Sequence, residues 1–156
     1  METSDSLMVL SFVLSARPSG FPIESVEEVL QMVALTPIPD APAFVAGAIN
    51  LRGSVLPVVD MATLIGEECL PYTLDTPIIV VRRGEDRLGL VVDSVHDVSS
   101  MSRDDIDSPS DMFPARRLLA GVARTGDGLL MLYDLERVLE LAAGAVALVS
   151  QGGADG

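Results

Sequence analysis

The sequence predicts a mainly β fold, two small barrels packed together with short helices, and three observations lead there. Apolar runs of strand length recur at residues 7–14, 78–81, 88–92 and 129–133, rich in Val, Ile and Leu and bounded by Gly, Pro or Asp; at this length they favour buried strands over helices. Gly20, Gly84 and the Gly126-Asp127-Gly128 turn punctuate them, because glycine accepts the positive φ that tight hairpins demand. The chain also resembles itself: residues 20–29 lie over residues 89–98 without a gap at a spacing of 69, and Ala46-Gly47, Val55-Leu56 and Asp60 match Ala120-Gly121, Leu129-Leu130 and Asp134 at a spacing of 74.

Each copy is read as strand, hairpin, strand, a short acidic helix or turn, a linker, and a β-hairpin ending in aspartate. The change in spacing places five extra residues of the second copy in the acidic stretch 104–117. Asp60 and Asp134 stand where a strand stops and a short periodic segment begins, 61–65 and 135–139. Both are expected to cap a helix N-terminus rather than to act as catalytic acids. One unit of about 65 residues buries little core, so two should pack together, each curling to hide its edges, with a groove between them. The domain is expected over residues 7–141, with repeat blocks at about 7–66 and 76–140 and with 1–6 and 150–156 as disordered tails.

Composition narrows the chemistry. The 156 residues amount to one domain, and 49% apolar against 21% charged residues supports a folded core. All ten cations are arginines, set against 23 Asp and Glu for a net charge of −13, which disfavours nucleic-acid binding. Without lysine there is neither a Schiff base nor a P-loop, and one cysteine (Cys69) and one histidine (His96) build neither a disulfide nor a zinc site. No cofactor and no metal are expected. No uninterrupted apolar run reaches the ~18 residues of a membrane span, and Glu2 and Asp5 flank the first apolar run where an export signal needs positive charge. The expectation is a cytoplasmic protein without direct membrane insertion.

Several motifs have a bland account. The P-x-x-P of residues 37–42 reads as a stiff connector before an apolar segment rather than a polyproline ligand. Asp104, Asp105, Asp107 and Asp111 fit no calcium loop and read as a solvated acidic stretch. Glu27 and Glu28 are adjacent and do not face one target, His96 occupies the repeat position of Glu27, and Cys69 reads as a packed small residue. Asp60, Asp93 and Asp134 could serve a small β-barrel enzyme or ligand-binding protein as acids, but their repeating strand-end contexts suit caps better than one converging site. Arg52, in Asn50-Leu-Arg-Gly53, has Gly126 as its counterpart. An arginine among apolar neighbours in one copy only is typical of an interaction hot spot.

Phe21-Pro-Ile-Glu-Ser-Val-Glu-Glu-Val-Leu30, Pro42-Ala-Phe-Val-Ala-Gly-Ala-Ile-Asn-Leu-Arg-Gly53, Val55-Leu-Pro-Val-Val-Asp60, Gly89-Leu-Val-Val-Asp-Ser-Val95 and Leu119-Ala-Gly-Val122, in this order, closely resemble the CheW-like family of bacterial chemotaxis coupling proteins. The resemblance covers residues 7–141, nearly the whole chain. It implies two five-stranded SH3-like barrels and a non-enzymatic, free-standing adaptor that joins the cytoplasmic tip of methyl-accepting chemotaxis receptors to the regulatory domain of the histidine kinase CheA. It also implies that Arg52, Val26 and Glu28 belong to receptor- or kinase-contacting surface, with Asn50, Leu51 and Gly53 shaping it.

Overall fold

The computed structural model describes residues 5–108 and 118–143. Eleven strands and two short α-helices follow one another as β1 (Ser6–Leu14), β2 (Arg17–Pro22), β3 (Val26–Gln31), β4 (Val45–Leu51), β5 (Ser54–Asp60), α1 (Met61–Leu64), β6 (Pro77–Arg83), β7 (Asp86–Val91), β8 (Ser94–Ser102), β9 (Ile106–Asp107), β10 (Leu119–Thr125), β11 (Gly128–Tyr133) and α2 (Leu135–Leu141). The mainly β class expected from the apolar runs is what forms. The short acidic helix or turn expected in each copy forms as a single 3-10 turn, Ile23–Ser25 and Arg103–Asp105, and the acidic residues Glu27 and Glu28 beyond the first of these lie in a strand, β3. Its period-2 pattern is masked in the sequence because pairing slips between Val26 and Glu28, so the adjacent glutamates sit at a bulge.

Two sheets result, in the order β8-β1-β2-β11-β10-β9 and β3-β6-β7-β5-β4. The repeat is exact in register. Val9, Leu10 and Ser11 face Pro22, Phe21 and Gly20 as Ile78, Ile79 and Val80 face Val91, Leu90 and Gly89. Gly47 and Ile49 face Val58 and Leu56 as Gly121 and Ala123 face Leu132 and Leu130. Yet the sheets are not drawn one from each repeat. The β1–β2 hairpin of the first copy joins β8, β10 and β11 of the second, while the β6–β7 hairpin of the second joins β3, β4 and β5 of the first. Hydrophobic periodicity says which residues are buried and is silent on which strand lies alongside, so this exchange is invisible in the pattern.

Apolar runs replace strict alternation because each central strand is buried on both faces. Ile78 and Val80 of β6 point into one cluster with Ile49, Leu51, Leu56 and Val58, inside the second barrel. Ile79 and Val81 point into a core shared by the two sheets, with Phe12, Phe21, Leu90 and Tyr133. Leu7 and Val9 fill the first barrel together with Ala123, Leu130 and Leu132. The edges of each sheet are brought round by the chain itself. After β3, Thr36 exchanges two backbone hydrogen bonds of 2.9 Å with Ala48 of β4, and after β8, β9 pairs with β10 at Ile106 and Asp107.

That approach explains two matched glycines. A Cβ on Gly47 would lie 2.8 Å from the Thr36 carbonyl oxygen, and one on Gly121 would lie 2.9 Å from that of Asp107. The connector of residues 37–42 runs between β3 and β4 with a turn at Asp40, where the backbone is left-handed (φ 60°). The tails expected at 1–6 and 150–156 fall outside the described residues except for Asp5 and Ser6, and Ser6 already opens β1. Of the acidic stretch 104–117, Asp105 and Asp107 pair with Arg124 at 3.8 and 2.6 Å, and Asp111 lies outside the described residues. No helix among the described residues is long and apolar enough to cross a membrane.

Candidate functional site

Arg52 and Gly53 form the two-residue loop between β4 and β5, both with left-handed backbone, φ 50° and 87°. This is the geometry a tight hairpin requires, and at the first loop position glycine or asparagine is the usual occupant. An arginine there carries a conformational cost that local structure does not ask for. The Asn50 side-chain oxygen accepts the Gly53 N–H at 2.9 Å and braces the loop. The Arg52 guanidinium donates to both carboxylate oxygens of Glu28, which keeps the guanidinium pKa above its ordinary value. Glu28 is on β3 and Arg52 at the end of β4, and these are the two edge strands of their sheet, so the pair ties edge to edge.

Four of the six residues named by the sequence therefore meet at one hairpin tip. The other two point elsewhere. Leu51, expected to offer dry contact area beside Arg52, is 8% exposed because alternation along β4 turns it into the barrel. Val26 is half-buried against the shared core, opposite Val81. The apolar area on the outside comes from residues the sequence did not single out: Val29, 41% exposed on β3, and Val55, 57% exposed on β5. Their repeat counterparts on the other barrel, Val98 and Leu129, are 45% and 48% exposed. The signal was present, since both matched pairs lie inside the repeat blocks, but it reads as sheet face until the strand directions are known.

The three aspartates have separate duties. Asp60 accepts the Thr63 N–H at 2.9 Å and caps α1, and Asp134 accepts the Glu136 N–H at 2.9 Å and caps α2, as the strand-to-helix position predicts. Asp93 accepts the Ser15 N–H at 3.0 Å, holding the β1–β2 loop in which Ser15 and Ala16 are both left-handed. Asp60 and Asp93 line one cleft of about 180 Å³, whereas Asp134 lines a different one with Arg83 and Tyr133.

Cys69, expected to be packed, is exposed and donates its thiol to Asp60 at 2.9 Å, beside the Tyr72 hydroxyl, which donates to the same oxygen at 2.5 Å. The linker after α1 is thereby pinned over the Asp60 end of the second barrel. Burial first, and then the Asp60 carboxylate, push both the Cys69 thiol and the Tyr72 hydroxyl above their ordinary values. Burial pushes Tyr133 up to about 12.

All three groups are neutral acids held protonated by the fold, so the unfolded chain gives up its protons first. Their contribution is complete below the ordinary thiol value of 9.0 and is lost as pH rises through the tyrosine range from 10 toward about 12. The urea midpoint is expected to hold from pH 7 to 9 and fall by pH 11.5. A flat midpoint across that range would contradict the upward shifts of these groups.

Three comparisons bear on the whole arrangement. The family model for the CheW-like domain matches residues 8–143. The chemotaxis protein CheW of Klebsiella aerogenes is 32% identical over 133 residues, covering 83% of this chain and 80% of that protein. Its namesake in Thermotoga maritima is 31% identical over 134 residues, covering 85% and 87%. Among solved structures, the scaffolding protein TtCheW from Thermoanaerobacter tengcongensis superposes with a TM-score of 0.77 at 31% identity, covering 82% of this chain and 88% of the other.

Proposed function

Since the chain belongs to the CheW-like family, we propose that it is a chemotaxis adaptor that works by binding alone, joining the cytoplasmic tip of a methyl-accepting receptor to the regulatory domain of the histidine kinase CheA. The observation that carries this reading is Arg52, held by a left-handed loop and paired with Glu28, on a barrel whose strands β3 and β5 also carry the exposed valines Val29 and Val55. A guanidinium offers several donors to carboxylates or carbonyls on a partner, and exposed valines on the same sheet add apolar contact area. The equivalent pair on the other barrel, Val98 and Leu129, gives the molecule two related faces, so two partners can be held at once. Coupling then arises because the joint assembly favours one kinase state over another. Asp60, Asp93 and Asp134 are occupied with backbone N–H groups, which leaves them to the fold.

Arg52→Ala is expected to weaken binding of a kinase regulatory-domain fragment or a receptor-tip fragment by about tenfold or more. Its melting temperature should stay within a degree or two of wild type, because the ion pair to Glu28 is exposed and the loop makes the same left-handed demand on alanine as on arginine. Arg124→Ala, which loosens exposed pairs to Asp105 and Asp107 and a hydrogen bond to the Asp104 carbonyl, is the control and should leave binding unchanged. Calorimetric titration of both variants against both fragments decides. Unaltered binding by the Arg52 variant, or a large fall in its melting temperature, returns this arginine to a structural role.

A further inference from the structure

The two barrels match in strand register but not in what fills them. In the second barrel Leu30, Leu51 and Val80 belong to the apolar cluster inside it. The positions equivalent by repeat spacing in the first barrel are Ser99, Thr125 and Ser11, and all three line a half-open cleft of about 370 Å³. The mouths differ in the same way. Across the second barrel's mouth Glu27 is gripped by Arg87, at 3.1 and 3.3 Å, and approached by Arg82 at 4.0 Å. The equivalents of these three residues are His96, Pro18 and Val13, which make no such bridge and line the cleft. One barrel is plugged and latched; its twin stands open.

We propose that the open mouth of the first barrel is a binding site for a small organic cation with an apolar body, of arylalkylamine size. This site is separate from the surface at Arg52 and does not need the adaptor reading, although Leu129, half-exposed on β11, lines it as well. The volume sets the size, since a cavity of about 150 Å³ holds one benzene ring and ligand sites begin near 300 Å³. The wall is apolar at Val13, Met101, Leu129 and Leu130 and polar at Ser11 and Ser99, while the Thr125 hydroxyl donates to the Gly128 carbonyl in the adjoining turn. Sign follows from the rim. Asp127 lines the mouth and has no ion-pair partner among the described residues, and the chain carries 23 acidic side chains against 10 arginines, so an anion is repelled and an ammonium is drawn in. The His96 imidazole, within 3.1 Å of the Ser94 hydroxyl, stands at the same rim as a further polar contact.

The test fills the first barrel with the second barrel's own residues. Phenethylamine is titrated into the isotopically labelled protein and followed by amide chemical shifts, with phenylacetate as the charge-reversed probe. Expected are saturable shifts confined to β1, β2, β8 and the β10–β11 hairpin, with phenylacetate at least tenfold weaker. Binding should vanish in the Ser11→Val, Ser99→Leu, Thr125→Leu triple variant, and Asp127→Asn should abolish the preference for the amine. Ser99→Leu alone, at an exposed position of the rim, serves if the triple variant does not fold. Shifts that fail to saturate, that persist in a folded filled variant, or that are equal for the two probes overturn the proposal.

Discussion

Phe12→Ala is expected to destabilise the protein by about 3–5 kcal/mol, against a total stability of about 5–15 kcal/mol for a domain of this kind. Phe12 has no exposed surface and stacks on Phe21 and Tyr133 at centroid distances of 5.5 and 6.3 Å. Those rings stand in the core shared by both sheets, beside Ile79, Val81 and Leu90 from the second barrel. The cavity left by the ring cannot be refilled from one side alone, because β1 is held between β2 and β8 and its other face fills the first barrel. Leu129→Ala, at a half-exposed position, should cost about 0.5 kcal/mol or less. Urea unfolding of the two variants measures both values. A Phe12→Ala loss below about 1 kcal/mol would mean that the two sheets do not depend on this core.

The second large effect is expected at Gly47, where alanine meets two obstacles at once. Its φ of 147° is a conformation that L side chains avoid, and its Cβ would lie 2.8 Å from the Thr36 carbonyl oxygen, which is backbone and cannot swing aside. Strain of about 1–3 kcal/mol and overpacking of a similar size together predict a loss of roughly 2–5 kcal/mol, with early opening of the Thr36–Ala48 pair. Gly53→Ala separates the two causes, since that position has a φ of 87° but open space around it. It should cost only the conformational part. Hydrogen exchange at the Thr36 and Ala48 amides, measured alongside urea unfolding, reads both effects, and equal losses in the two variants would remove the steric argument.

What the sequence discloses is what repeats. Gly20 and Gly89, Gly47 and Gly121, and Asp60 and Asp134 are placed by the close approach of neighbouring side chains or backbone or by a helix cap, needs that recur in both copies and so leave identical residues. The caps could be assigned from the aspartate and the short apolar segment behind it. Long-range pairings left no such trace. Glu28 and Arg52 are 24 residues apart and meet only because a sheet curls until its edges touch. Tyr72 and Cys69 reach Asp60 through an irregular linker that has no period to read. Leu51 and Val55 were separable in principle by alternation, yet which parity faced inward depended on strand neighbours that periodicity does not name.

The exchange of hairpins also sets an order for the nascent chain. The strands of the second barrel are all present once the chain has been made as far as Val91, at the end of β7. The first barrel must wait for β11, which ends at Tyr133. During that interval the β1–β2 hairpin, the first part to leave the ribosome, can pair only with β8 once Ser102 has been made, and Phe12 and Phe21 have only the outer face of the finished barrel to shelter against. The earliest-made strands are thus among the last to be secured, and the molecule's hazard during synthesis lies at its beginning. The chain passes from one barrel to the other after β2 and again after β7, so the finished halves are stitched at two points, and a cut in the linker between α1 and β6 would separate no complete barrel.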